Sequence, residues 1–527
     1  MIRLRQIKVL VTKEQDSKIK EKILRLLKIK EEDLLTYKIH KKSIDARDKN
    51  NPLFVYEIDV NEKDEKKTLE KITSNDIFRV EEQPYQFPKC TIKNSTRPII
   101  VGSGPAGLFC AYMLAEAGLR PIVLERGDSM EKRIACVEKF FQDNILDPES
   151  NIQFGEGGAG TFSDGKLNTL TKDTLGRNQK VYEIFVENGA PEEILYIHNP
   201  HIGTDLLRNI IVNMRNKIKS MGGEFHYRSC VTNLIIENNH IKGVEVNHKE
   251  KWESSHVVLA IGHSARDTLK MLHQNGLIMK PKNFAIGVRI EHPREMIDEA
   301  QYGKFAPILG SANYKLTYQT KEGRGVYSFC MCPGGYVINA SSEDKRLVVN
   351  GMSNYDRKER NSNSAIVVTV NPSDYGDDLF AGMEFQRKVE KMAYQEGKSF
   401  IPVQLYKDFC HNTTSTSYGD FTPNTKGNVS FGNLRKVLPE FISDAIIEAM
   451  PNFAKKIKDF DREDAILLGV ETRTSSPIVM VRNEELTSSI KGLYPCGEGA
   501  GYAGGITTAS IDGIKVAEKI VSSDQDL

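Results

Sequence analysis

Between Pro98 and Glu125 the chain carries a pattern that few folds accommodate. Ile99, Ile100 and Val101 form a short apolar run of strand type. Gly102, Gly104 and Gly107 follow at G-x-G-x-x-G spacing, and the uncharged stretch that continues to Ala115 reads as a helix. In such a unit the first glycine permits the tight turn, the second lets backbone approach a pyrophosphate, and the third lets the helix lie close on the sheet. The helix start offers free N–H groups and partial positive charge. We therefore expect Gly102, Gly104, Pro105, Ala106 and Gly107 to line a phosphate site. A second strand, 121–124, ends in Glu125, at about the spacing where an acid meets a ribose diol. Two other stretches, 155–160 and 499–504, match the same glycine spacing, but neither leads into a strand ending in an acid. The uncharged run also raises a membrane span. Three glycines and a proline in its first third, without flanking anchors, favour a buried strand–helix unit.

At 527 residues the chain has room for two or three domains, and its formal net charge of +1 marks it for neither nucleic acid nor an acidic membrane. The opening residues lack the apolar core of a secretion signal, and the eight cysteines form no C-x-x-C pair, so a cytoplasmic protein is expected.

Residues 1–90 read as a small domain of their own. Strands at 2–11, 34–44, 53–60 and 77–82 and helices at 17–28 and 62–74 give the order βαββαβ, a ferredoxin-like arrangement. Such domains can bind RNA. This one has 21 Lys and Arg against 17 Asp and Glu, and its strand 54–60 places Glu57 and Asp59 where stacking rings would be wanted. That argues against nucleic acid and for docking or dimerisation. Residues 83–88 read as the linker.

Further along, a helix from 130 to 142 carries Arg133, which could reach back to phosphates or lie solvated. Residues 151–166 hold five glycines and no helical period. Phe154 and Phe162 imply that this loop packs, with Gly158, Gly160 and Thr161 facing a ligand. A helix over 206–221 is expected to be capped by Thr204 or Asp205. Strands follow at 224–234 and 241–246, and a buried strand from Val257 ends in Gly262, where backbone meets the ligand. From about 281 to 469 the strands 286–293, 327–335, 347–350 and 365–370 and helices near 383–395 and 439–450 read as an inserted mixed α+β domain. The chain then returns through 470–482 to a short strand, 493–495. Gly497 and Glu498 stand past its end, and Gly505 and Ile506 open the last helix. The layout is thus 1–90, then 91–280 with 470–527, with 281–469 inserted. Arg126 follows the ribose acid and is grouped with it.

These motifs resemble FAD-dependent oxidoreductases of the glutathione reductase and hydroxybenzoate hydroxylase superfamily. The turn at 102–107 with Glu125 matches their ADP fingerprint. Val257–Gly262 is similar to their second motif, with Ile261 where threonine is usual. Residues 493–498 are similar to the third, with Glu498 where an aspartate usually binds ribitol. Val231 occupies the position whose backbone meets adenine. The segments 153–167, 471–477 and 496–505 are similar to a family of uncharacterised FAD-dependent dehydrogenases whose members carry a like N-terminal domain. The resemblance implies a Rossmann-like FAD-binding domain, bound FAD, and hydride transfer through flavin N5 to or from a small organic substrate.

It fixes no catalytic residue. Candidates are Arg473, to hold an anion or the flavin carbonyl unless it pairs with Glu471; Cys330 and Cys332, as a dithiol relay or two buried thiols; and His263 or His201 as proton donors. No metal site is expected. The chain carries no second Rossmann unit, so NAD(P)H docks transiently, or electrons come from a substrate or a protein donor. A homo-oligomer stays open. The alternative readings are a flavin monooxygenase and an RNA-binding or RNA-modifying flavoprotein using residues 1–90.

Overall fold

The computed structural model describes residues 1–12, 16–90, 96–169 and 173–523. The N-terminal sheet is antiparallel throughout, in the order Leu34–Asp45, Leu53–Glu62, Ile2–Leu10, Ile77–Arg79. The first strand buries Ile2 and Leu4, then Ile7 and Val9. A bulge with Gln6 at φ 54° absorbs the one-residue change of phase, so both pairs face one core. The second helix is shorter than expected, Glu65–Glu70, because Asn61 and Glu62 still pair with the neighbouring strand and Asp64 caps the helix on Lys67 N. Asp59 is buried and holds Arg3 at 2.6 and 2.8 Å, so the acids noted in the sequence stitch the sheet.

The second body is a five-stranded parallel sheet in the order Leu493–Pro495, Val257–Leu259, Ile99–Val101, Ile122–Leu124, Glu224–His226. Alternate residues divide between two cores. Ile100, Val123, Val258 and Tyr494 face the helices Pro105–Glu116 and Ile506–Ser522. Ile99, Val101, Ile122 and Leu259 face a three-stranded antiparallel sheet, Val231–Glu237, His240–Val246 and Glu250–Glu253. Burial on both faces explains the continuous apolar runs. The single strand expected over 224–234 is two, broken at 227–230 as the chain passes between sheets. Glu250–Glu253, too short and polar to read from its pattern, completes the second.

The third body is built on a seven-stranded sheet in which Phe284–Pro293 lies between Asn361–Val370 and Ile466–Glu471 and pairs antiparallel with both. The boundary drawn between 469 and 470 cuts this last strand, which remains one paired element through Glu471. The chain crosses between the two bodies on a two-stranded ribbon, Met279–Pro281 with Ile478–Met480. Among the described residues no helix is long and apolar enough to cross a membrane.

Candidate functional site

The glycine turn is shaped by steric necessity. A Cβ on Gly102, whose φ is +100°, would stand 2.4 Å from Ala260 O, and one on Gly107 would stand 2.0 Å from Gly102 O. Gly104 is the N-cap and Pro105 opens the helix, where its missing N–H costs nothing. Glu125 is buried beneath this turn. One of its oxygens accepts from Ser103 N at 3.0 Å and Ser103 Oγ at 2.6 Å, the other from Gly127 N at 2.8 Å and Gly155 N at 3.0 Å. All four lone-pair positions of the carboxylate are therefore used within the chain. A ribose diol at Glu125 has to share or replace one of these donors.

Arg133 does not reach the cavity. It is fully buried, and its guanidinium donates to five carbonyls: Asn151, Ile152, Gly155, Glu156 and Gly158, at 2.6–3.2 Å. Burial pulls its pKa down to about 10, which leaves it charged at neutral pH. The reason it misses the phosphates is geometric. The loop turns its carbonyls inward, and Arg133 is the one donor that satisfies them together. The loop so fixed is laid on the glycine turn by Gly157 N donating to Ser103 O, with Gly158 over Gly104 and Gly160 against Ile506. Thr161 is buried under the loop, its carbonyl taking the Thr204 hydroxyl at 2.7 Å, and it does not line the cavity. The helix over Gly203–Ser220 begins one residue before Thr204, so neither Thr204 nor Asp205 is its cap.

Together these elements bound a cavity of ≈990 Å³. That is at the upper end of the range for cofactor and ligand sites, roughly 300–1,000 Å³. Gly102, Gly104, Pro105, Ala106, Glu125, Arg126 and Val231 line it in the Rossmann-like body. Gly158, Gly160, Gly262, His263 and Glu498 continue the wall, and Gly505 and Ile506 present the start of the last helix. Gly262, Gly504 and Gly505 have nothing within 4 Å of where a Cβ would stand, so backbone there is open to a ligand. His263 Nδ1 lies 3.3 Å from Glu498, while its buried Nε2 has no partner. An open cradle and an orphaned ring nitrogen are what an absent planar, polar-edged cofactor would fill. Gly497 stays out of the cavity: its N–H is taken by Asp512 at 2.7 Å, and its positive φ makes the turn that delivers Glu498. Arg126 lines the wall but is held by Glu149 and Asp267 and lies over the Phe154 ring.

The inserted body and the N-terminal domain close the other side. Arg473 lines the cavity, but its partner is Glu390, at 3.0 Å through both Nε and Nη2, and not Glu471. Arg266 holds the same carboxylate at 2.8 and 2.9 Å. Burial pushes the Glu390 pKa up, yet Arg266 and Arg473 more than reverse that and hold it far below the usual range. Glu471 instead pairs with the fully buried Arg289 at 2.7 Å. Cys330 and Cys332 sit in a bulge between paired strands, with Cys330 at φ 43°. Arg289 donates to Cys330 O and approaches Cys332 Sγ at 3.7 Å. Cys330 is exposed and lines the cavity, and the surrounding protein pushes its thiol up to about 12 and raises Cys332, which is buried, too. Both are thiols at neutral pH, so a relay there has no thiolate to start from. His201 is outside the lining, stacked on Tyr355 with Nε2 on Tyr355 O at 2.9 Å. Sequence reasoning passed over Lys166, which ends the glycine loop and lines the cavity. A lone lysine closing a glycine-rich stretch with two phenylalanines was the available signal.

Three family models match. Residues 283–474 match the FAD-dependent protein, C-terminal domain-like family, 100–137 an NAD(P)-binding Rossmann-like domain, and 1–61 a domain of unknown function. An uncharacterised protein of Clostridium beijerinckii is 47% identical over 95% of both chains. Digeranylgeranylglycerophospholipid reductase 1 of Methanococcoides burtonii is 26% identical over 31% of this chain and 36% of its own. Among solved structures, L-proline dehydrogenase from P. horikoshii aligns at TM-score 0.33 and 13% identity, over 83% of this chain and 96% of its own. The chain belongs to the family of FAD-dependent oxidoreductases that includes the uncharacterised Clostridium beijerinckii protein.

Proposed function

We propose that this protein is a FAD-dependent dehydrogenase or reductase of a small organic substrate that enters between the Rossmann-like body and the inserted sheet. One observation carries the reading: a single cavity joins the glycine turn at 102–107 to Glu498 and to the compartment bearing Lys166, Cys330 and Arg473. FAD, when bound, supplies two-electron hydride exchange at its N5. The chain supplies position and field. The start of Pro105–Glu116 offers N–H groups for a diphosphate. Glu498, steadied by His263, offers a carboxylate to a polyol hydroxyl. The first turn of Ile506–Ser522 turns the positive end of a 17-residue helix toward the cavity, favouring negative charge there. His263 Nε2 is free to hold or donate a proton.

Residues 1–90 belong to this site in our reading. Lys42 N donates to Tyr196 O at 2.8 Å and His198 N to Lys42 O at 2.8 Å, which seats His40 and Lys41 in the cavity wall. That supports a role as a lip of the site over one in binding RNA. A single parallel five-stranded sheet among the described residues supports a donor that uses the same cavity. The Methanococcoides relative is a phospholipid reductase, which accords with a reductive direction.

The test is aerobic purification followed by anaerobic reduction with NADH, NADPH and candidate organic donors, with products read by mass spectrometry. A yellow protein whose flavin bleaches and passes electrons to an organic acceptor is expected. A folded protein that stays colourless and takes up no FAD refutes the reading; rapid NAD(P)H oxidation with a hydroxylated product makes it a monooxygenase.

A further inference from the structure

The charges around the cavity are distributed unevenly. Asp164 is paired with Arg357, and Glu471 with Arg289 at 2.7 Å. Glu125 is filled by chain donors, and Glu498 is met by His263. Arg126 and Arg473 are neutralised by acids behind the wall. Three cations that line the cavity have no ion pair among the described residues: Lys41, Lys166 and Lys315. They come from all three bodies of the fold.

Lys166 is the inner one. Its charge is felt at the Cys330 and Cys332 thiols and at Asp164, where Arg357 already supplies the counter-charge. The pair and the lysine together leave one positive charge uncompensated, in a compartment whose walls include Tyr182, Tyr314 and Phe329. Lys41 is carried to the rim by the Lys42–Ile197 bridge, and Lys315 is exposed on the facing body. His40 and His198 are held by burial below their ordinary range and add no charge at pH 7. A half-buried ammonium without a partner is costly unless a ligand brings the counter-charge. Lysines around the opening of a low-dielectric cleft also focus the field and raise the arrival rate of anions.

Building on the flavoenzyme reading, we propose that the substrate is an organic anion with an apolar body, drawn in past Lys41 and Lys315 and held by Lys166. The role that Arg473 was expected to fill falls to Lys166, because Glu390 has already claimed the arginine.

The experiment uses the full-length, flavin-loaded protein and three probes of similar shape: cinnamate, phenyl phosphate and the neutral cinnamamide. Binding is followed through perturbation of the flavin's visible absorbance at low and high salt. A charge-assisted hydrogen bond predicts that an anion binds about tenfold or more tighter than the amide. Whichever anion binds better identifies carboxylate or phosphate. Lys166→Met should abolish the preference, Lys166→Arg should keep most of it, and Lys41→Met with Lys315→Met should flatten the salt dependence. Equal binding of anion and amide, no perturbation by either anion, or a Lys166→Met protein that keeps the preference overturns the proposal. So does loss of flavin on Lys166→Met with anion preference unchanged in the flavin that remains. Absence of flavin from the wild-type protein would instead overturn the flavoenzyme reading.

Discussion

Replacing Arg133 by methionine removes the one side chain on which the glycine loop is wound. Five carbonyls lose a donor, but Gly155 O keeps Gly158 N and Gly158 O keeps Thr161 N, so those of Asn151, Ile152 and Glu156 are left unpaired. Each buried carbonyl left unpaired costs about 1–3 kcal/mol, so the loop would lose roughly 3–9 kcal/mol. Two effects reduce this. The guanidinium's own burial, which takes it from 12.5 to about 10, is relieved on deletion, and a fall of that size is worth about 3 kcal/mol. The loop can also open to water, which rehydrates its carbonyls. Removal of one partner from a buried charged cluster typically leaves about 3–5 kcal/mol. Against a domain stability of about 5–15 kcal/mol that is a large fraction. Opening also lifts Gly157 and Gly158 off the glycine turn, so flavin retention should fall together with stability. The assay is urea unfolding followed by circular dichroism, with bound flavin read from the ratio of visible to ultraviolet absorbance. Arg133→Lys, with three donors in place of five, should recover part of both. A methionine variant within about 1 kcal/mol of wild type and with full flavin occupancy would refute the reasoning.

Glu291 is fully buried, accepts from Asn424 N at 3.1 Å on each oxygen and from the Asn361 side chain, and burial outweighs both and pushes its pKa up to about 8. A raised folded pKa gives stability that is present below the unfolded value and lost as pH rises toward 8, by up to about 4 kcal/mol; Glu291→Gln should therefore gain relative to wild type between pH 5 and 8. Urea curves for the two proteins that shift in parallel over that range would rule this out. Gly107→Ala places a methyl 2.0 Å from Gly102 O and should yield protein without flavin, as judged by absorbance of the purified fraction. With both thiols protonated, Cys330→Ser with Cys332→Ser should keep the rate of flavin reduction within about threefold, and a loss of about a hundredfold in stopped flow would restore the relay.

What could be read from sequence was what local backbone chemistry dictates. The turn at 102–107 admits only glycine at its first and third glycine positions because backbone oxygens stand there, and that restriction is written directly in residue type. The ferredoxin-like order was legible because Ile2, Leu4, Ile19, Ile23, Phe54 and Ile58 keep strict strand and helix periods. The partners of charged residues were not legible. Arg473 and Glu471 are two apart, yet each pairs across the fold, with Glu390 and Arg289, because the strand ends at Glu471 and the chain turns away. Arg133 is the sharper case. Its helix reads as amphipathic with an arginine at the edge, and only the tertiary path of residues 151–158 turns that edge into the interior.

The same contrast explains why the two sides of the cavity should differ in variability and in function. Around the glycine turn three charged groups find their partners inside the chain: Glu125 on four donors, Arg133 on five carbonyls, Arg126 between two acids. A surface whose demands are met internally is stiff and preorganised, and a stiff surface suits a ligand that never changes. Elsewhere around the same cavity Lys41, Lys166 and Lys315, from three separate bodies, meet one space, and among the described residues none of them has an ion pair. Such a surface lowers its energy when a ligand of the opposite sign arrives. Selectivity for substrate then resides in Lys41, Lys166 and Lys315, of which only Lys166 adjoins a glycine-rich stretch.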